Sequence, residues 1–254
     1  MLLFLELIPY ITIFIFGIVI GSFLNVCIYR IPLHESIITA PSHCMMCGSP
    51  LKWYDMVPVF SWLWLGGKCR NCKAKISAQY PLIEALNGVL YVLICAVSGL
   101  NLMSGVYCLM ASALLVLSLI DWRTYEIPFS INVFLAALGV VATVLEPEQL
   151  ISHLLGAVCV SGVLGMIYLI SGGRAIGGGD IKLMAACGLL LGWQRIVLAF
   201  FVGCILGAMI HLIRIRVSHV GHVLAMGPYL AAGIFLSALW GNGWIAWYLG
   251  LLGL

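Results

Sequence analysis

The chain has 254 residues, 63% of them hydrophobic and 8% charged, with a net charge of +3 and a mean hydropathy of +1.15. Soluble domains carry about 25% charged residues, so this composition excludes a cytosolic enzyme, a secreted disulfide scaffold and a disordered protein. The small, scattered positive charge gives no basis for a nucleic-acid partner. What remains is an all-α polytopic membrane protein that uses lipid as part of its solvent.

A spanning helix needs about 20 mostly apolar residues. The first such run extends from Leu7 to Tyr29. Its leading residues carry Glu6 and no Lys or Arg, and no cleavage signal follows, so it reads as a retained span rather than a signal peptide. Residues 30–80 hold six basic residues and four paired cysteines and form a small soluble insert. Apolar runs resume at 82–99, 102–120, 130–145, 150–170, 181–193 and 196–213. A last run, 223–250, is interrupted by Gly241-Asn242-Gly243. The expectation is about eight transmembrane helices, with domains at 1–29 (first span), 30–80 (insert) and 81–254 (membrane domain). No internal repeat of the kind that builds inverted-repeat transporters is visible.

Cytosolic segments of membrane proteins are enriched in Lys and Arg. With the insert in the cytosol and the spans alternating, Arg30, Lys52, Lys68, Arg70, Lys73, Lys75, Arg123, Arg174, Lys182, Arg214 and Arg216 lie inside, and Arg195 alone lies outside. That imbalance predicts an outside amino terminus and a cytosolic insert.

Asp55, Asp121 and Asp180 are the only aspartates in the chain. Asp55 belongs to the insert. Asp121 closes the third span and Asp180 opens the sixth, within Gly177-Gly178-Gly179-Asp180-Ile181-Lys182. One helical hairpin separates the two, so both fall at the cytosolic edge of the bilayer. Ionisable residues at membrane depth mark functional sites by default. Two carboxylates held together share a proton, and such a pair activates water with one member and polarises a carbonyl with the other. The glycines before Asp180 allow unusual backbone angles and close approach of a substrate strand. The competing reading has Asp180 capping a helix and Asp121 paired with Arg123. Lys182 and a helix start favour ionised Asp180, whereas Asp121 ends a helix, which points to Asp180 as base and Asp121 as acid.

In the insert, Cys44-x-x-Cys47 and Cys69-x-x-Cys72 supply four thiolates for a tetrahedral structural Zn²⁺ site, with redox-active or unmetallated thiols as the alternative. About 50 residues make too small a core without a staple, and disulfides are disfavoured in the cytosol. His43 is surplus to such a site. Cys27, Cys95, Cys108, Cys159, Cys187 and Cys204 are scattered in apolar runs and read as small buried hydrophobes.

With these residues in view, the chain resembles the type IV prepilin leader peptidases, a family of intramembrane aspartyl proteases with a Gly-x-Gly-Asp motif, here Gly177-x-Gly179-Asp180 with Lys182. The resemblance extends through Gly21-Ser22-Phe23-Leu24-Asn25-Val26, Tyr29-Arg30-Ile31-Pro32, Pro41-Ser42-His43-Cys44, Pro58-Val59-Phe60-Ser61-Trp62, Gly67-Lys68-Cys69, Tyr80-Pro81-Leu82-Ile83-Glu84 and Gly227-Pro228-Tyr229. One departure is Pro128-Phe129, where the family often has Pro-Asp. The resemblance implies cleavage of the basic leader of type IV prepilins and pseudopilins at the cytosolic face of a bacterial inner membrane, with Asp121 and Asp180 catalytic. It also implies N-methylation of the new amino terminus from S-adenosylmethionine. Gly21, Ser22, Asn25 and Glu84 are the expected contributors to that cofactor's site. Read as membrane-helix residues instead, Gly21 and Ser22 pack helices, Asn25 bonds between helices, and Glu84 caps a helix or pairs with a basic residue.

Other candidates are weaker. His219 and His222 lack a His-Glu-x-x-His context and read as part of a basic loop facing lipid headgroups. Trp240, Trp244 and Trp247 read as an outer interfacial belt. Ser22 and Ser171 lack triad partners. The rival function is a transporter or zinc-stabilised membrane assembly factor that moves ions or protons through Asp121 and Asp180. It predicts charges at the bilayer midplane, where this sequence has almost none.

Overall fold

The structure, a computed structural model, describes residues 2–39, 41–218 and 224–253; His219 and His222 lie outside the described residues. Its helices, in chain order, are α1 (Leu2–Arg30), α2 (Phe60–Trp64), α3 (Gln79–Ser98), α4 (Leu102–Thr124), α5 (Phe129–Leu145), α6 (Leu150–Ser171), α7 (Gly178–Leu191), α8 (Trp193–Ser218) and α9 (Gly227–Leu251). Apart from the short α2, each corresponds to one of the eight apolar runs. Six of them (α1, α3, α4, α6, α8 and α9) are long and apolar enough to cross a membrane. The 17 residues of α5 and 14 of α7 are fewer than the roughly 20 of a full-length span, so among the described residues six of the eight apolar helices reach that length. The chain is a multi-pass membrane protein. Gly241-Asn242-Gly243 does not interrupt α9. Gly241 is a packing position there, since an added Cβ would lie 2.8 Å from Ser237 Oγ.

The chain forms two compact units, Met1–Leu100 and Asn101–Leu254. Within the first unit α3 packs on α1. The seam is built from small residues, as membrane helices require for close approach. A Cβ on Gly17 would lie 2.7 Å from Gly88 Cα, and one on Gly21 would lie 2.7 Å from Glu84 Cα. Polar bonds fix the register along the same seam. Asn87 donates to Gly17 O at 2.7 Å, and Asn25 donates to Tyr80 O at 3.2 Å. The rings of Tyr29 and Tyr80 stack at 5.6 Å.

In the second unit α4 is the most enclosed helix, with Met110, Leu117 and Ile120 at its core. Helices α6 and α7 meet at Gly156 and Gly188, where a Cβ on either would collide with the other's carbonyl oxygen. Far from Asp121 along α4, the buried Arg195 guanidinium donates to Tyr107 Oη at 2.8 Å and to Leu191 O at 2.7 Å. These bonds satisfy a cation that would otherwise be costly inside the bundle.

Candidate active site

Asp121 lies in the last turn of α4 and is 4% exposed. The helix stops four residues later, where Tyr125 takes a left-handed conformation (φ 56°) and donates its N–H to Asp121 O at 2.9 Å. This ending leaves the Asp121 side chain at the mouth of the helix and turns the chain into Glu126-Ile127-Pro128. The carboxylate has a partner distant in sequence: Oδ2 accepts the backbone N–H of Gly227, at the start of α9, at 2.8 Å. A helix start offers unpaired N–H groups and a positive dipole end, both favourable to a carboxylate.

Asp180 occupies the first turn of α7. The helix is entered through Gly177, whose backbone is extended, and a Cβ there would sit 3.1 Å from Asp180 Oδ2. A Cβ on Gly179 would lie 2.9 Å from Ile127 Cβ, so this glycine lets the first turn of α7 rest on the loop that follows α4. The helix cap is therefore Gly177 rather than Asp180. The motif glycines act by bringing α7 against the loop after Asp121.

Asp121 and Asp180 line one cavity of about 310 Å³, together with Tyr125, Glu126, Ile127 and Gly177 to Gly179. Glu126, which was not singled out from the sequence, adds a third carboxylate to the cavity, and Gly227, noted in the sequence only as part of the family resemblance, supplies the amide that Asp121 accepts. Glu126 looks like ordinary loop polarity in the sequence. Gly227 carries a signal that can be read in retrospect, a Gly-Pro pair opening a helix.

Among the described residues, no lysine or arginine lines the cavity. Lys182, expected beside Asp180, is exposed and places Nζ over the ring of Phe129, 5.1 Å from its centroid. Arg214 lies 4.7 Å over the ring of Trp122, the neighbour of Asp121. Both cations are held on aromatic faces, an arrangement favoured by the ring quadrupole. The lysine therefore bears on α5 rather than on the carboxylate.

The insert has its own centre. Among the described residues the Sγ atoms of Cys44, Cys47, Cys69 and Cys72 lie within 4.8 Å of one another. Cys44 and Cys72 are 3.8 Å apart. A tetrahedral Zn²⁺ with bonds near 2.3 Å places its sulfurs ~3.8 Å apart, so the thiols fit such an ion with little adjustment. Each Cys-x-x-Cys is a turn closed by a backbone bridge, His43 with Pro50 and Lys68 with Lys75. Four residues after the first cysteine of each pair, Gly48 and Lys73 have positive φ (68° and 60°), so the two knuckles repeat one geometry. The Ser49 hydroxyl at 2.9 Å helps bring the Cys47 thiol down to about 6, and backbone amides of Cys72 and Asn71 lower that of Cys69. Both shifts favour the thiolate that a metal requires. His43 faces Pro41 O instead. Arg70 and Asp55 close the outside of the insert with a 2.7 Å ion pair.

The four residues expected around a methyl donor come together, but as packing. Gly21 admits no extra carbon against Glu84, and Asn25 and Glu84 are 2% and 6% exposed. Glu84 Oε2 accepts the N–H of Val59 at 2.7 Å. Closed in this way, the seam does not fit a cofactor. Asn25 is the interhelical hydrogen-bonder that its position in α1 suggested.

Two aspartates lining one cavity of a helical membrane unit, joined in sequence to a four-cysteine insert, make a candidate site for acid–base chemistry. Comparison with known proteins narrows this. Residues 15–98 match the bacterial peptidase A24 N-terminal domain, and residues 108–212 match the type IV leader peptidase family. Curated relatives named prepilin leader peptidase/N-methyltransferase are similar along nearly their whole length. The Aeromonas hydrophila protein is 32% identical over 93% of this chain and 92% of its own. The Bacillus subtilis (strain 168) protein is 32% identical over 93% of this chain and 96% of its own. The Pseudomonas putida protein is 30% identical over 94% and 93%. The chain belongs to the type IV leader peptidase family. No solved structure matches it.

Proposed function

We propose that this protein removes the basic leader from type IV prepilins and pseudopilins with Asp121 and Asp180, and then methylates the exposed amino terminus. The observation that carries the peptidase reading is the single cavity lined by Asp121 and Asp180. One carboxylate, ionised, takes a proton from water as the oxygen attacks the scissile carbonyl. The other, protonated, gives its proton to the carbonyl oxygen. The tetrahedral intermediate then collapses, and the amine of the mature pilin leaves with a proton. The Gly227 amide holds Asp121 in place through this exchange. Gly177 and Gly179 keep the first turn of α7 low enough for a substrate strand to approach Asp180.

The positive-inside distribution supports an inner-membrane protein whose amino terminus is outside and whose insert and cavity are cytosolic. That is where the basic leader of a membrane-anchored prepilin lies. Cys44, Cys47, Cys69 and Cys72 hold a structural Zn²⁺. With four protein ligands the ion has no open position for a substrate, so its contribution is to fold the insert. Methyl transfer is supported by the names of the relatives, and S-adenosylmethionine supplies the methyl group in that chemistry. The rival transporter reading loses support from the placement of both aspartates at helix ends around a cavity.

The test is to incubate purified protein in liposomes with a prepilin and S-adenosylmethionine and to measure product mass. Loss of the leader, abolished by Asp121→Asn and by Asp180→Asn, is expected, with about 14 Da added to the mature product for one methyl in place of hydrogen, the chemistry the site reading leaves to the cofactor. Cleavage surviving in both variants would overturn the aspartyl mechanism.

A further inference from the structure

Val59 stands out in the backbone of the insert. Its φ of 61° and ψ of −53° lie outside the regions open to a β-branched residue. Phe60 N donates to Pro58 O at 2.6 Å across it. Together these define a γ-turn of the rare positive-φ kind, near φ about +75° and ψ about −65°, which is strained. Such conformations persist only where the surroundings over-determine them. Here the determinant is visible: the N–H of Val59 is taken by Glu84 Oε2 at 2.7 Å, from α3, and Glu84 is itself buried against Gly21 of α1.

The turn leads directly to the metal centre. It starts α2, whose Trp62 uses three contacts to fix the second knuckle. Its carbonyl accepts from Gly67 N at 2.8 Å, and its indole Nε1 donates to Ile76 O at 3.2 Å. Its ring covers Gly67, where an added Cβ would lie 2.8 Å from Cζ2. Gly67 and Ile76 are themselves bonded, N–H of Ile76 to O of Gly67, at 2.8 Å. Between them lies the whole loop that carries Cys69 and Cys72. One continuous path of hydrogen bonds and packing therefore runs from Glu84, through Val59 and Trp62, to two of the four cysteines.

We propose that Glu84 is a positioning residue, neither a cofactor ligand nor a helix cap: its carboxylate latches the cysteine insert to the α1–α3 hairpin by holding the Val59 turn. The part of this proposal that concerns methyl transfer rests on the function proposed above. The latch does not, because it can be read from the insert itself. A carboxylate suits the task since it accepts the amide of Val59 in a charge-assisted hydrogen bond. The strain at Val59 makes the latch dependent on that bond. Glycine at 59 would adopt the same φ without steric cost.

This dependence gives a test that separates a latch from a ligand. Full-length Glu84→Ala, Glu84→Gln, Val59→Gly and the double variant Glu84→Ala/Val59→Gly would be compared in liposomes. The first readout is the rate of tryptic cleavage in the insert, at Lys52, Lys68, Arg70, Lys73 and Lys75. The second is methylation of a pilin already lacking its leader. Loss of a charge-assisted bond predicts roughly tenfold faster insert cleavage in Glu84→Ala, with a matching fall in methylation. Glu84→Gln, which still offers a carbonyl, should fall between it and the wild type. The double variant should recover at least half of the loss on a logarithmic scale, because glycine removes the strain the latch opposes. Val59→Gly alone should keep the insert protected, which guards against a Glu84→Ala protein that simply fails to fold.

Unchanged proteolysis in Glu84→Ala with methylation abolished would overturn the latch and make Glu84 a cofactor or substrate contact. A double variant no better than Glu84→Ala would likewise overturn it. If the wild type methylates nothing while Glu84→Ala still opens the insert, the methyltransferase reading fails and the latch stands.

Discussion

Gly227 and Asp121 are 106 positions apart in the chain, yet the backbone amide of one lies 2.8 Å from a carboxylate oxygen of the other. The contact depends on the missing side chain, because a Cβ at 227 would stand 2.7 Å from that oxygen. Gly227→Ala therefore displaces the carboxylate and lengthens its hydrogen bond. Peptidase kcat on a prepilin should fall about 100-fold, as when a positioned donor is lost from an active site. Methylation of a pilin already lacking its leader should persist, since that substrate needs no peptide-bond cleavage by Asp121. Equal loss of both activities would instead indicate general unfolding.

Lys182 supplies a second prediction. Its ammonium rests on Phe129, 5.1 Å from the ring centroid, so removing its charge should leave the acidic limb of the peptidase pH–rate profile in place. The interaction joins the first turn of α7 to that of α5. Its loss should lower kcat modestly, about 2–5-fold, in line with an exposed cation–π contact. Phe129→Ala should produce a similar fall. An acidic limb displaced in Lys182→Ala would place the ammonium beside Asp180 after all.

Much of this arrangement was legible in the sequence, because charge is scarce in it. With only three aspartates, the two at the ends of apolar runs could be picked out and set at one depth by counting spans. Eight apolar runs became eight helices, although α5 and α7 are shorter than a full-length span. The cysteine spacing announced a four-thiol cluster, and the thiols converge. Contacts that depend on packing were not legible. Neither the Gly227 amide on Asp121 nor the diversion of Lys182 to Phe129 leaves a trace in local periodicity. The α1–α3 seam misled in another way. Gly21 is small for close helix approach, Asn25 is polar for a bond between helices and Glu84 for its bond to the insert, and residue type alone does not separate these roles from a cofactor site.

The four-thiol centre makes a prediction about pH. Metal binding needs thiolates, so protons displace the ion as pH falls. The Ser49 hydroxyl stabilises the Cys47 thiolate, and with other contacts brings its thiol to about 6. Ser49→Ala removes that bond, raises the thiol toward its ordinary value, and lets protons compete at higher pH. The midpoint of Zn²⁺ release on acidification, followed with a colorimetric chelator, should therefore move upward relative to wild type. A midpoint that stays fixed or moves down would remove Ser49 from the metal centre. In either protein, stripping the ion should speed tryptic cleavage of the insert.

Asp180 depends on a contact far along its own helix. Gly156 of α6 and Gly188 of α7 touch so closely that a Cβ on either would strike the other's carbonyl oxygen. The approach holds α7 in position along α6, and α7 carries Asp180 in its first turn. Gly188→Ala must push the two helices apart, and overpacking of this kind costs about 1–3 kcal/mol. Thermal unfolding in detergent should occur at lower temperature, and peptidase activity should fall even at temperatures where the protein remains folded, because Asp180 moves with α7. Gly162 lies in α6 with only Val158 near it, at 3.6 Å from an added Cβ, and Gly162→Ala should leave both quantities unchanged. If the two alanine variants behaved alike, the spacing of α6 and α7 would have no bearing on where Asp180 stands.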